Sequence, residues 1–152
     1  QITMSVRRIC FKTNFGFISI KEENEKIISI NFKKSNNLSP NKLLFRLRKN
    51  INEFFKKNIK NIKCPTRIIG NKNQKKVWHE IKKIKYGKTK SYKQIAKKVK
   101  LHPRYVGKIC SQNKLLLIIP CHRVIRTDGT LGGFSANGGL KLKRKLIQFE
   151  KI

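Results

Sequence analysis

Leu115-Leu116-Leu117-Ile118-Ile119 is an unbroken apolar run in a chain where 38 of 152 residues are Lys or Arg and only 7 are Asp or Glu. Such a run belongs in a core, and five residues suit a buried strand or extended segment. The run ends in Pro120-Cys121-His122-Arg123. A lone cysteine behind an apolar run is ordinarily a small core residue. Packing, however, has no use for a proline, an imidazole and a guanidinium around it, whereas a nucleophilic thiol needs a base or a cation close by. Neighbours on an extended chain point to opposite faces. His122 therefore reaches the thiol only through a water, or if the backbone turns after Pro120. A carboxylate would hold the imidazole, as in a triad. Asp128, in a turn, and Glu150, at the end of a basic helix, are both candidates, and the residues alone leave the choice open.

Around this run the chain reads as α+β. Residues 11 to 32 alternate as a β-hairpin, with Ile18 and Ile20 on one arm and Ile28, Ile30 and Phe32 on the other. Glu22-Glu23-Asn24-Glu25 forms the turn, and Asn14 and Gly16 mark an earlier one. Ser39-Pro40 reads as a helix start, followed by Leu43, Leu47, Ile51, Phe54 and Phe55 on one face up to about Lys57. A polar connection to about Asn73 separates an N-terminal lobe, 1–66, from a C-terminal one, 67–152. A helix over 74–85 buries Val77, Trp78, Ile81 and Ile84 and stops at Gly87. Ser91 and Gln94 form a capping box for the next helix, which buries Ile95, Ala96 and Val99. Pro103 opens another, with Val106, Ile109 and Cys110 inward. Two short helices in tandem with Arg and Lys projecting resemble a helix-turn-helix. Thr127-Asp128-Gly129 is a turn and Gly132 to Ser135 a tight loop. A last helix over 140–150 buries Leu142, Leu146 and Phe149.

The net charge of +31 calls for a polyanionic partner, with nucleic acid first. Abundant Lys, Asn, Ile and Phe also fit AT-rich coding, so part of the charge is solvated surface. Cys10, Cys64, Cys110 and Cys121 have no CxxC pair, so neither a disulfide framework nor a zinc site is expected, and a reducing compartment is the default. No apolar stretch approaches the ~18 residues of a membrane span. Gln1 to Arg8 shows no secretory signal. The expected location is the cytoplasm, or the nucleus of a eukaryote.

Several of these motifs coincide with one family. Pro120-Cys121-His122-Arg123-Val124 resembles the active-site motif of the O6-alkylguanine-DNA alkyltransferases, also called methylated-DNA–protein-cysteine methyltransferases. Val77-Trp78, Gly87-Lys88-Thr89-Lys90-Ser91-Tyr92, Ile95-Ala96, Arg104-Tyr105-Val106-Gly107, Asn113, Gly132-Gly133-Phe134, Gly138-Gly139, Lys143 and Glu150 resemble its other elements. The likeness is strong over about 75 to 150 and looser before that.

The resemblance implies a ribonuclease-H-like N-terminal lobe packed on a winged-helix-like C-terminal lobe. It implies a monomer that needs no cofactor and no metal. Its partner is double-stranded DNA carrying O6-alkylguanine, with O4-methylthymine a further substrate. The alkyl group passes irreversibly to Cys121, once per protein. His122, through a water, and Glu150 deprotonate the thiol, and Asn113 braces the turn before it. Arg104 fills the gap left by the flipped base, and Tyr92 assists extrusion and protonates the leaving guanine. Ser91 and Arg123 join them on DNA. Phe134, Ser135 and Lys143 surround the base. The connection from Tyr92 to Arg104 is two residues shorter than in relatives, and Ala136-Asn137 look like an insertion. Other readings are a protein that binds alkylated DNA without chemistry, a basic helix-turn-helix regulator, and a cysteine hydrolase. Adjacent Cys121 and His122 disfavour the last.

Overall fold

The computed structural model describes residues 5–133 and 138–151. The chain divides into two units, Gln1–Ile68 and Ile69–Ile152. In the first, β1 (Val6–Thr13), β2 (Gly16–Glu23) and β3 (Lys26–Asn31) form an antiparallel meander in the order β1-β2-β3. Helix α1 (Lys42–Phe55) follows, burying Leu44, Leu47, Ile51 and Phe54.

Three details depart from the periodicity. The second turn is only Asn24-Glu25, both left-handed at φ 52° and 62°. Glu22 lies within β2, buried, with its carboxylate accepting from the Glu25 amide at 2.7 Å. The register of β2 on β3 shifts between Lys21 and Glu22, so Ile27 and Ile30 are fully buried and Ile28 is not. A bulge resets the inside–outside alternation, which a strict period of two misses. Finally, the N-cap of α1 is Asn41, not Ser39. The Asn41 side chain accepts from the Leu44 amide, leaving Pro40 before the helix and Ser39 left-handed at φ 43°.

The second unit carries the cysteine run. Helix α2 is Lys72–Ile81, starting earlier and ending sooner than the pattern suggests. Its capping box joins Asn71 and Gln74, and Gly87 (φ +77°) belongs to a later turn. Burial of Val77, Trp78 and Ile81 stabilises the unit by ~1.5–3 kcal/mol each. The Trp78 indole also donates to the Ile109 carbonyl at 3.2 Å, tying α2 to α4 (Pro103–Ser111). Between them lies α3 (Tyr92–Val99), with the Ser91–Gln94 capping box. Lys100 ends α3 in a left-handed conformation (φ 61°) where glycine is usual, and this turns the chain into α4. A two-residue parallel ladder pairs β4 (Lys90–Ser91) with β5 (Val124–Ile125). It holds the start of α3 beside the segment that follows Arg123. Helix α5 (Gly139–Lys151) closes the unit. It buries Leu142 and Leu146 as expected, but Ile147 rather than Phe149, which is half-buried. No helix among the described residues is long and apolar enough to cross a membrane.

Candidate active site

The apolar run is not a strand. After α4, the Asn113 side chain organises a compact turn. Its Oδ1 accepts from the Leu115 amide at 2.9 Å, and its Nδ2 donates to the Ile119 carbonyl at 2.7 Å. The Ile119 amide closes the loop on the Leu115 carbonyl at 2.8 Å, and Leu117 adopts φ 74°. Leu115, Leu116, Leu117 and Ile119 are buried as composition demands and Ile118 is half-buried, and the turn is held by its own backbone and by Asn113. Pro120 (φ −80°, ψ 66°) is the centre of an inverse γ-turn, with the Cys121 amide donating to the Ile119 carbonyl at 2.8 Å. Cys121–Arg123 is then a single 3₁₀ turn. The backbone does turn after Pro120, so Cys121 and His122 are not held on opposite faces of a strand.

Cys121 is buried, and its sulfur accepts from Asn113 Nδ2 at 3.1 Å. Burial pushes the thiol well above its ordinary pKa. A hydrogen bond with the Cys110 thiol acts in the same direction, while Asn113 and the Lys143 charge oppose it. The resting site therefore holds a protonated thiol.

The neighbouring charges form one closed cluster. Glu150 accepts from His122 Nε2 at 2.7 Å, Arg123 Nε at 2.8 Å, Arg123 Nη2 at 2.9 Å and the Gly87 amide at 3.3 Å. Burial alone would raise the Glu150 carboxyl. The bonds from His122 and Arg123 outweigh it and bring the group down to about 2. An ionised Glu150 makes Nε2 the protonated nitrogen of His122 and leaves Nδ1 with its lone pair. Burial, the largest influence, lowers the His122 pKa against the pull of Glu150, so the ring is neutral at neutral pH.

On the outer side, a cleft of about 460 Å³ is lined by Tyr92 and Lys93 of α3, Arg104 and Gly107 of α4, and Arg126 and Gly132 beyond β5, among others. Tyr92 Oη accepts from Lys143 Nζ at 3.0 Å, and the ammonium also reaches the Gly132 and Gly133 carbonyls at 3.4 Å. Lys143 is fully buried, and burial lowers its pKa to about 8. A Cβ on Gly132 would lie 2.2 Å from Tyr92 Oη, so the backbone can approach the phenol only without a side chain.

Residues 72–152 match the model of the 6-O-methylguanine DNA methyltransferase DNA-binding domain. A methylated-DNA–protein-cysteine methyltransferase of Metallosphaera sedula is 37% identical over 148 residues, covering 95% of this chain and 93% of the relative. The chain belongs to the O6-methylguanine-DNA methyltransferase family. A methyltransferase of the same name from Saccharolobus solfataricus is 33% identical over 93% of each chain. The crystal structure of the Mycobacterium tuberculosis O6-methylguanine methyltransferase superposes with a TM-score of 0.85 at 25% identity, covering 97% of this chain and 93% of that one.

Within this methyltransferase fold, Asn113 is bonded to Cys121, and His122 and Arg123 to Glu150; all five are buried, and Cys121, His122 and Arg123 share one 3₁₀ turn. Tyr92, Arg104 and Lys143 gather about the cleft. Ser91 is committed to its capping box, its hydroxyl accepting from the Gln94 amide at 3.0 Å. Arg123 requires correction as a DNA contact. Only 7% of it is exposed, two of its nitrogens are bound to Glu150, and Nη1 donates to the Ile84 carbonyl at 2.8 Å. A guanidinium so placed is a counter-ion of the buried carboxylate. Asp128, the other carboxylate considered, is exposed and holds Thr130 instead. Phe134, Ser135 and the Ala136-Asn137 insertion lie outside the described residues. Sequence reasoning missed Cys110 as a partner of the Cys121 thiol, the Gly87 amide on Glu150, and Arg126 in the cleft. Of these, only Gly87 carries a signal in the sequence, as a helix stop and as the first residue of the family's Gly87–Tyr92 element.

Proposed function

We propose that the protein repairs DNA by direct reversal, moving an alkyl group from O6 of guanine onto Cys121. The observation that carries this is the buried Asn113–Cys121–His122–Glu150 arrangement beside an exposed helix pair. It supplies a soft nucleophile, a neutral base and a fixed carboxylate, and nothing that would turn the product over.

A methyl on O6 lies inside the duplex, so the base must be flipped out, at a cost of a few kcal/mol. Arg104, exposed at the first turn of α4, is placed to fill the vacated stack, and the base would enter the cleft beside Tyr92. His122 Nδ1 then takes the Cys121 proton, through a water. The imidazolium that forms is stabilised by Glu150, and the thiolate by the Asn113 amide. The sulfur attacks the methyl carbon, an S–C bond forms, and the C–O6 bond breaks with its electron pair passing to guanine. Tyr92 donates its proton to guanine N3. Its oxygen already accepts from Lys143, which compensates the phenolate left behind. The thioether has no leaving group at neutral pH, so each chain acts once, as a monomer and without a cofactor.

The test is stoichiometry. With a duplex containing O6-methylguanine in excess, restored guanine is expected to plateau at one equivalent per chain, and Cys121→Ser to bind the duplex without restoring any. Continued turnover, or a Cys121→Ser protein that still restores guanine, contradicts the proposal. Binding without any restoration by the unsubstituted protein favours recognition without chemistry.

A further inference from the structure

A second, basic groove lies at the C-terminal end of α3, whereas the cleft lies at its N-terminal end. The groove has a volume of about 520 Å³ and is lined by Lys72, Lys75, Lys76 and His79 of α2 and by Lys98 and Lys100 at the end of α3, among others. Positions 72, 75, 76 and 79 are spaced three and four apart, so they share one face of α2. All six of these side chains are exposed. The acid that lines it, Glu80, is paired with Lys83 at 3.2 Å and offsets little of this charge.

The groove does not stand alone. Lys93 and Lys97 are exposed and four apart on one side of α3, and exposed Lys100 caps its C-terminus. From Lys93 to the last helical residue, Val99, the rise is roughly 9 Å at about 1.5 Å per residue. Lys93 lines the cleft, and Lys100 lines the groove. Lys100 also stands just before the His102 cap of α4, the helix that carries Arg104. The two concavities are thus joined by a track of lysines.

We propose that this groove holds the phosphodiester backbone of the same duplex, flanking the damaged base, and extends the DNA contact from α4 across α3 to α2. The proposal rests on the DNA-repair reading. Sign of charge and continuity with the candidate DNA-binding face select a nucleic-acid backbone as occupant. Six of the lining side chains are basic, and lysines bind phosphate oxygens whatever the base, so the groove positions DNA without sequence preference.

The test compares two triple variants on an undamaged duplex over a range of salt. One is Lys72→Gln/Lys75→Gln/Lys76→Gln. The other, Lys42→Gln/Lys49→Gln/Lys56→Gln, removes the same charge from two exposed positions of α1 and from its exposed C-cap. Each phosphate contact contributes about 0.9 to the slope of log affinity against log salt, so the groove variant should lose up to ~2.7 and the α1 variant far less. Equal slopes for the two variants overturn the proposal. Thermal unfolding of both checks folding, and if the groove triple is unfolded, the three single variants replace it, each expected to lose up to ~0.9. Methyl transfer from the free O6-methylguanine base to the unsubstituted protein tests the repair reading separately, because it needs no duplex.

Discussion

Replacing Glu150 by Gln keeps the side chain's shape and removes its charge. Arg123 would remain buried with no counter-ion, and the tautomer of His122 would no longer be dictated by an anion. The held-down pKa sets the scale. A fall from 4.5 to about 2 corresponds to roughly 3 kcal/mol of stabilisation above pH 4.5. Truncating one partner of a buried ion pair costs about 3–5 kcal/mol, which brackets that figure. The sign follows from proton binding. Between pH 4.5 and about 2 the unfolded chain takes up the Glu150 proton and the folded chain does not. Stability from this carboxylate is therefore complete above pH 4.5 and lost as the pH falls toward 2. The chain has one tryptophan, Trp78, buried in the second unit, so its fluorescence in urea reports the unfolding of the unit that holds the site. At pH 7, Glu150→Gln should be less stable by about 3–5 kcal/mol. The gap should close steadily below pH 4.5. A loss under ~1 kcal/mol at pH 7, the range of an exposed pair, would refute the reasoning. So would a gap that stays constant down to pH 2.5.

Asn113→Ala removes the amide that donates to the Cys121 sulfur and leaves the Ile119 carbonyl and Leu115 amide without that partner. A hydrogen bond to a charged group is worth about 1.5–3 kcal/mol, so single-turnover transfer should slow by roughly 10- to 100-fold. Gly132→Ala forces Tyr92 aside, since its Cβ would overlap the phenol. Repair of a duplex lesion should fall, while alkylation of Cys121 by a small electrophile at high pH persists. In the unmodified protein, iodoacetamide labelling of Cys121, followed by peptide mapping, should be slow at pH 7 and still rising at pH 9, because burial holds the thiol above its ordinary range. A labelling midpoint near pH 7 would contradict that account of the resting site.

What could be read in the sequence was what is decided locally. The Ser91–Gln94 box and Pro103 start α3 and α4 where the residues say they should, because a cap is satisfied within four residues. Cys121 and His122 stand out from their own neighbours, whereas Glu150 comes only with the motif resemblance, because chemistry alone does not choose it over Asp128. The inward turn of Arg123 depends on a carboxylate 27 positions away and on the Ile84 carbonyl 39 positions away, so no window of sequence contains it. The apolar run is buried apart from half-buried Ile118, but it is a turn and not a strand. Five apolar residues do not distinguish a strand from a turn, and it is the Asn113 side chain that closes the turn. The start of α1 was a choice between two polar residues, Ser39 and Asn41, either of which can cap. The bulge in β2 arises from pairing, which a single strand's pattern does not encode.

The most direct measurement is the position of the transferred group. After incubation with a duplex carrying O6-methylguanine, the protein is digested with trypsin and its peptides weighed. Cleavage after Lys108, Lys114 and Arg123 separates Ile109–Lys114, which holds Cys110, from Leu115–Arg123, which holds Cys121. The account predicts one methyl group on the Leu115–Arg123 peptide, on Cys121, and none on the peptide with Cys110. Methyl on Cys110, or on neither cysteine while the lesion disappears, would contradict it.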